Sequence, residues 1–198
     1  MTIRTSETHP LLIPWVETPA GGRIGMTLCP GKVDPTAITG RWERDLQLDM
    51  EAVRAWGADA LVSLVEEGEL EFLQVPGLGE QAQILGIRWY HLPIRDRWIP
   101  DGRFDAAWLE AGAELRRILD NGGGVVLHCR GGLGRTGTIA ARLLIERGEA
   151  PDRALERVRR ARPGAVETFE QENYVLYGVP NPCERVPYNG DNDARMAG

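Results

Sequence analysis

Cys129 and Arg135 are separated by five residues, in the order Arg130, Gly131, Gly132, Leu133 and Gly134. Glycines let a short loop curl until successive backbone N–H groups point inward, and such a ring of amides binds an anion. The guanidinium of Arg135 can grip two oxygens of a tetrahedral anion at once. The same positive field favours the nucleophilic thiolate form of a cysteine. The spacing therefore predicts a phosphate-binding loop with Cys129 as a nucleophile at its floor.

Two neighbours of this loop have side chains that could assist the reaction. Thr136 directly follows Arg135, and we expect its hydroxyl to donate a hydrogen bond to the sulfur. His128 directly precedes Cys129, and we expect it to orient the loop by hydrogen bonding rather than to act as a base. The loop differs from a nucleotide-binding P-loop, because no Gly-Lys-Ser/Thr sequence follows its glycines.

A thiolate that attacks a phosphate ester expels an alkoxide or phenoxide, which needs a proton donor. In open α/β sheets the groups of a site lie at the carboxyl ends of neighbouring strands. The predicted strand over residues 87–92 is followed by Asp96 and Asp101. Asp96 is our predicted general acid, and Asp101 is the alternative. Trp98 is expected to flank the pocket, where its ring could pack on an aryl phosphate.

Apolar runs predict strands at residues 23–28, 60–65, 87–92 and 125–128. Helical patterns fall between and after these runs. The predicted helices start after Asp45 and end at Gly57, occur in pieces within residues 66–85, and cover residues 105–120, 134–147, 151–162 and 167–177. This alternation predicts an α/β fold with a central, mostly parallel sheet and helices on both faces. We expect one domain over residues 1–178 and a polar C-terminal extension over residues 179–198.

The composition argues against several classes of partner. The 198 residues carry a net charge of −6, which is unlike a general nucleic-acid or anionic-membrane binder. The apolar runs are much shorter than the roughly 20 residues of a membrane-spanning helix. The three scattered cysteines, Cys29, Cys129 and Cys183, do not form a disulfide framework and predict a reducing compartment, the cytoplasm. A regulatory disulfide between Cys129 and either of the other two stays open as an alternative.

Arginines recur along the predicted helix over residues 151–162. A solvated helix face is the simpler interpretation, and the steering of a phosphoprotein toward the pocket is the alternative. The residues concerned are Arg153, Arg157, Arg159, Arg160 and Arg162.

The loop resembles the Cys-x5-Arg-Ser/Thr signature of the protein tyrosine phosphatase superfamily, in its dual-specificity branch. Other segments resemble the kinase-associated (cyclin-dependent kinase inhibitor-like) dual-specificity phosphatases, so that the resemblance covers residues 20–178. These segments are Leu28-Cys29-Pro30-Gly31, Pro93-Ile94-Arg95-Asp96 with Pro100-Asp101, His128 to Arg135, Gly164-Ala165-Val166 and Gln171-Glu172-Asn173-Tyr174.

The resemblance implies a tyrosine-phosphatase-like fold and hydrolysis through a phosphocysteine intermediate, with no metal or organic cofactor. Carried onto this sequence, it makes Cys129 the nucleophile, Arg135 the phosphate-binding side chain and Asp96 the acid, and the backbone amides of residues 130–135 complete the cradle. The implied partner is a phosphorylated protein or peptide, with phosphotyrosine first and phosphoserine and phosphothreonine as a wider range. We expect no nucleic-acid or membrane partner and take a monomer as the working expectation.

Three other functions stay open at this point. The loop could serve a phosphatase of a small phosphorylated metabolite, or a non-catalytic phosphopeptide-binding module. Rhodanese-like sulfur transfer also uses a cysteine in a curled loop, but the residues from Gly134 to Gly137 and the upstream Asp96 favour phosphate chemistry.

Overall fold

The computed structural model describes residues 3–179, and seven β-strands occur within this part of the chain. They are β1 (Trp15–Glu17), β2 (Arg23–Leu28), β3 (Val33–Asp34), β4 (Trp42–Glu43), β5 (Ala60–Ser63), β6 (Arg88–His91) and β7 (Gly124–Cys129). Five of them form one sheet in the order β1-β2-β7-β5-β6, and β3 pairs with β4 separately. Strands β2, β7, β5 and β6 are parallel, whereas β1 is antiparallel to β2 at the edge. The predicted mostly parallel sheet is confirmed.

The helices of the described residues lie between and after the strands from β4 onward. They are α1 (Leu46–Trp56), α2 (Glu67–Phe72), α3 (Leu78–Ile84), α4 (Gly102–Asp120), α5 (Gly134–Ile145), α6 (Pro151–Ala161) and α7 (Phe169–Asn173). Every residue of β5 and of β7 is buried, so both faces of the sheet's centre are covered. Helices α4 and α5 both pack against β7. None of the described helices has the length and apolar character needed to cross a membrane.

Local signals explain where several helices begin and end. Asp45 caps α1 by accepting a hydrogen bond of 2.8 Å from the Leu48 amide, and Gly57 ends the helix with a φ of +93°. These were the predicted ends. Helix α4 begins three residues before the predicted Asp105, because Asp101 caps it.

After α6 the chain forms a short α-helix followed by a π-helical turn. Thr168 and Gln171 form a capping box at the start of α7, which then continues into a π-helical turn (Tyr174–Gly178). The predicted helix over residues 167–177 is therefore shorter and partly π-helical. Residues 180–198, which include Cys183 and nearly all of the predicted extension, lie outside the described residues.

Candidate active site

The loop between β7 and α5 follows the shape that its glycines allow. We call residues 129–135 the phosphate loop. Gly132 has a φ of +72°, and a Cβ at this position would lie 2.3 Å from the backbone carbonyl of Thr27 on β2. Only glycine fits there, so the phosphate loop lies directly against the neighbouring strand.

Cys129 is the last residue of β7 and is only 3% exposed. Its Sγ accepts a hydrogen bond of 3.3 Å from the backbone N–H of Gly132. A main-chain amide directed at sulfur stabilises the thiolate form, as do other positive dipoles and charges nearby. The sulfur therefore lies at the base of the phosphate loop with one of the loop's amides turned toward it.

Arg135, in the first turn of α5, is 2% exposed and ion-paired on two sides. Its two terminal nitrogens donate to the carboxylate of Glu69 at 2.6 and 2.9 Å, and Nη2 also donates to Asp96 Oδ1 at 2.9 Å. Nη1 donates to the Ile94 carbonyl at 3.0 Å. Burial acts to lower the pKa of Arg135, but the hydrogen bonds and charge of Glu69 outweigh it and raise the pKa above its ordinary range. The guanidinium is permanently charged and held in place.

The two candidate acids occupy different positions. Asp96 contacts Arg135 and has a side chain that is 53% exposed, so solvent and ligands can reach it. Asp101 accepts hydrogen bonds from the amides of Arg103 (3.0 Å) and Phe104 (2.9 Å) as the cap of α4. The Phe104 hydrogen bond is the main cause that lowers the pKa of Asp101. This geometry favours Asp96 over Asp101 as the proton donor.

The two flanking residues make different contacts. His128 Nε2 lies 2.6 Å from Ser63 Oγ, which links the residue before Cys129 to the neighbouring strand β5. Burial lowers the pKa of His128 to about 3, which keeps the ring neutral near pH 7. The Thr136 hydroxyl is buried without a partner among the described residues, so the predicted hydrogen bond from Thr136 to the Cys129 sulfur is absent. The sulfur accepts from the Gly132 amide instead.

The side chain of Arg130 is held by a carboxylate from a distant part of the chain. Its Nε and Nη2 donate to the two oxygens of Asp34 at 2.9 and 2.8 Å. Asp34 is fully buried and forms an ion pair with this guanidinium.

Contacts between distant parts of the chain add residues that the sequence did not reveal. Glu69 meets Arg135 only because β5 and β7 are neighbours, and no spacing in the sequence links the two positions. Glu167 Oε2 accepts a hydrogen bond of 2.7 Å from the Gly134 amide, one of the amides predicted to bind phosphate. Arg162 donates to the carbonyls of Gly131 (3.3 Å) and Gly132 (3.2 Å), so its interpretation as part of a solvated helix face was wrong.

Gln171 connects the start of α7 with the segment that carries Asp96. It is fully buried, and its Nε2 donates to the Trp98 carbonyl at 3.1 Å while its Oε1 accepts from the Glu167 amide at 3.0 Å. An open recess of about 510 Å³ lies between residues 95–98 and 167–170. Trp98, 47% exposed, is one of its walls. Asp96, the candidate acid, is also part of its lining.

The other described cysteine is also near the site. Cys29 follows β2 and is completely buried, and burial raises the pKa of its thiol. Both Cys29 and Cys129 are free thiols.

Comparison with known proteins identifies the family of this chain. A family model described as "Polymorphic toxin system, DSP-PTPase phosphatase" matches residues 40–149. The chain belongs to the dual-specificity phosphatase family. It is 35% identical over 135 residues to cyclin-dependent kinase inhibitor 3 of Homo sapiens and to that of Rattus norvegicus, a match that covers 67% of this chain and 62% of each relative.

Two solved structures are similar over a larger share of the chain. A kinase associated phosphatase with its catalytic-site cysteine replaced by serine superposes with a TM-score of 0.72 and 30% identity, covering 84% of this chain and 92% of that chain. Tk-PTP in its active form gives a TM-score of 0.61 and 32% identity, covering 81% and 92%. The fold of this chain is that of the tyrosine-phosphatase-like enzymes.

Proposed function

We propose that this protein is a cysteine-dependent protein phosphatase that hydrolyses phosphotyrosine esters, with phosphoserine and phosphothreonine as a wider range of substrates. The observation that carries the proposal is the Gly132 amide directed at the Cys129 sulfur, inside a loop whose Arg135 contacts Asp96. In this proposal the nucleophile, the anion-binding cation and the proton donor lie together at the carboxyl-terminal edge of the parallel strands.

The reaction has two steps in this proposal. Cys129 Sγ attacks phosphorus, the bond from phosphorus to the ester oxygen breaks, and Asp96 gives its proton to the leaving oxygen. A water molecule then attacks the phosphocysteine, Asp96 takes a proton from that water, and the bond between sulfur and phosphorus breaks. Throughout, Arg135 and inward-facing amides of residues 130–135 bind the phosphoryl oxygens and stabilise the charge that develops on them.

Asp96 must leave Arg135 for this to happen. Asp96 Oδ1 is 2.9 Å from Arg135 Nη2, which is a position that a phosphoryl oxygen would take. We infer that an arriving phosphate displaces the carboxylate. The displaced Asp96 is then free to give a proton to the leaving group.

The depth of the sulfur supports phosphotyrosine as the first substrate. Cys129 is 3% exposed, so an ester must reach inward to meet it, and a tyrosine ring is longer than a serine or threonine side chain. The exposed ring of Trp98 offers an aromatic wall beside this path. Relatives named kinase associated phosphatase and cyclin-dependent kinase inhibitor 3 make a phosphorylated protein the proposed partner. A reaction that needs a reduced thiol suits the cytoplasm.

The test is hydrolysis of para-nitrophenyl phosphate and of matched phosphotyrosine, phosphoserine and phosphothreonine peptides. We expect Cys129→Ser to abolish turnover and to retain peptide binding. Asp96→Asn should lower kcat by about 100-fold, most strongly for poor leaving groups, which is the usual contribution of a general acid. Asp101→Asn, which keeps a capping side chain on α4, is the matched control and should retain activity.

The outcomes separate this proposal from its alternatives. Turnover that survives in Cys129→Ser would exclude thiolate chemistry, and an unchanged rate in Asp96→Asn would move the acid elsewhere. Strong phosphopeptide binding by the wild type without hydrolysis would support a binding module. Activity confined to small phosphorylated metabolites would support the metabolite phosphatase, and thiosulfate-to-cyanide transfer would support the rhodanese-like reaction.

A further inference from the structure

Lys32, the only lysine of the chain, is 3% exposed and lies under the phosphate loop. Its Nζ donates a hydrogen bond of 3.0 Å to the backbone carbonyl of Arg130 and lies 3.8 Å from Asp34 Oδ2. The amide of Cys29 makes a longer contact of 3.5 Å with the same carbonyl. The peptide group that joins Arg130 to Gly131 is therefore held at its carbonyl by the Lys32 ammonium.

The orientation of that carbonyl fixes the orientation of an amide. A trans peptide is planar, and its C=O and N–H point in opposite directions. When Lys32 holds the Arg130 carbonyl away from the centre of the phosphate loop, the N–H of Gly131 is turned toward the centre, where an anion would bind. Both glycines that follow Arg130 lack a side chain that could otherwise restrict these peptide groups.

In the next peptide group, between Gly131 and Gly132, both the carbonyl and the N–H have a hydrogen-bond partner. The Gly131 carbonyl accepts a hydrogen bond from Arg162 Nη2 at 3.3 Å, and the N–H of the same peptide, that of Gly132, donates to the Cys129 sulfur at 3.3 Å. Arg162 thus binds the carbonyl on the outer side of the loop, while the N–H of the same peptide group points inward to the sulfur. Lys32 contacts the carbonyl of the preceding peptide group in the same way that Arg162 contacts the carbonyl of this one.

Burial of the charged Lys32 side chain costs free energy, because the ammonium loses its hydration, and neighbouring groups reduce this cost. Removal from water lowers the pKa of Lys32, and the charge of Asp34 opposes that shift. The Trp42 ring centroid lies 5.2 Å from Nζ, within the range of a cation–π contact. A methionine-sized apolar side chain would fill the same space without this cost, so the charged donor itself needs an explanation.

We propose that Lys32 is a positioning residue that holds the phosphate loop in its anion-binding form through the carbonyl of Arg130. The inference deepens the proposed function, on which it rests. Asp34 supports this role in two ways, because it lies 3.8 Å from the Lys32 ammonium and holds the Arg130 side chain with two hydrogen bonds. Lys32 itself does not touch the phosphate in this proposal.

The experiment compares three substitutions of Lys32 with one control. Lys32→Met removes the donor with little change in volume, Lys32→Gln keeps a shorter neutral donor, and Lys32→Arg keeps a charged donor. The control is Thr36→Val, which removes the 3.0 Å contact of Thr36 with the Arg130 side chain but leaves the Arg130 carbonyl untouched. Each variant is measured for kcat and KM with para-nitrophenyl phosphate and for thermal unfolding. Inorganic phosphate binding is measured by calorimetry in a Cys129→Ser background, which needs no turnover.

We expect Lys32→Met to weaken phosphate binding and to lower kcat by about tenfold each, the loss typical of one charge-assisted hydrogen bond. Lys32→Arg should recover most of both quantities, and Thr36→Val should match the wild type. Wild-type phosphate affinity and kcat in folded Lys32→Met would overturn the proposal. If Lys32→Met does not fold, equal phosphate affinity of Lys32→Gln and Lys32→Arg would overturn it, and weaker binding by Lys32→Gln would support it.

The two proposals fail separately in this design. A wild type that hydrolyses no phosphate ester, together with weaker phosphate binding in Lys32→Met, would refute the proposed function and retain the positioning role. Turnover that depends on Cys129 but is indifferent to Lys32 would refute the positioning role alone.

Discussion

The contact between Glu69 and Arg135 leads to a quantitative prediction for Glu69→Gln. Both carboxylate oxygens of Glu69 accept from Arg135, at 2.6 and 2.9 Å, and the Glu69 side chain is 18% exposed. Loss of one partner of a buried ion pair costs about 3–5 kcal/mol when the other charge is left unpaired. Arg135 retains Asp96 and the Ile94 carbonyl, and glutamine still offers one acceptor. We therefore expect Glu69→Gln to lower the free energy of unfolding at pH 7 by about 2 kcal/mol.

The same contact predicts how this difference depends on pH. Burial acts to raise the pKa of Glu69, but the hydrogen bond and charge of Arg135 outweigh it and leave the pKa below its ordinary value of 4.5. The unfolded chain therefore binds a proton to Glu69 more readily than the folded chain does. The contribution of the pair is complete above pH 4.5 and is lost as the pH falls through the lower folded pKa. The wild type and Glu69→Gln should converge in stability below that pH.

Thermal unfolding followed by circular dichroism between pH 3 and pH 7 tests both parts of the prediction. For a chain of this size, about 2 kcal/mol corresponds to a fall in Tm of about 4–8 °C at pH 7. The control is Glu67→Gln, an exposed position in the same helical turn, which should change the free energy of unfolding by less than about 0.5 kcal/mol. Equal Tm values for Glu69→Gln and wild type at pH 7, or a gap that stays constant into acid, would refute the reasoning.

Substitutions at three further positions test other contacts. Gly132→Ala would place a methyl group 2.3 Å from the Thr27 backbone at a φ of +72°, so we expect a loss of about 3 kcal/mol in thermal unfolding together with weaker phosphate binding. Asp101→Ala should lower the free energy of unfolding by about 1 kcal/mol through loss of the α4 cap, whereas Asp101→Asn should be nearly neutral in the same melt. Glu167→Gln removes the negative charge beside the Gly134 amide, so phosphate should bind more tightly and its inhibition constant should fall by about threefold. An increase in this constant would contradict the assignment.

Features that depend on nearby residues were predictable from the sequence. The cap of α1 at Asp45, its end at Gly57 and the strand β2 follow from patterns within about a dozen residues. The two-residue strands β3 and β4 were missed because such short pairs leave no alternation to detect. The start of α4 was missed because Asp101 was considered as an acid and not as a helix cap.

Contacts between residues far apart in the chain were the ones that the sequence did not reveal. Glu69 reaches Arg135, Asp34 reaches Arg130 and Arg162 reaches Gly131 only after the sheet has formed. Each is a charged residue that looks solvent-exposed when only its neighbours in sequence are considered. The loop of Cys129 was predictable from its glycines, but the residues that surround and hold it were not.

The position of β7 in the sheet has a consequence for how the protein acquires its site. Strand β7 lies between β2 and β5, although both precede it in the chain by some sixty residues or more. A nascent chain that ends before residue 124 therefore has two separated halves of a sheet, each with an unpaired inner edge. Insertion of the last strand joins those halves through pairings of high sequence separation, which is a slow type of event in folding. Cys129, the proposed nucleophile, is the final residue of that strand, so the proposed anion site arises in the same late step that completes the sheet.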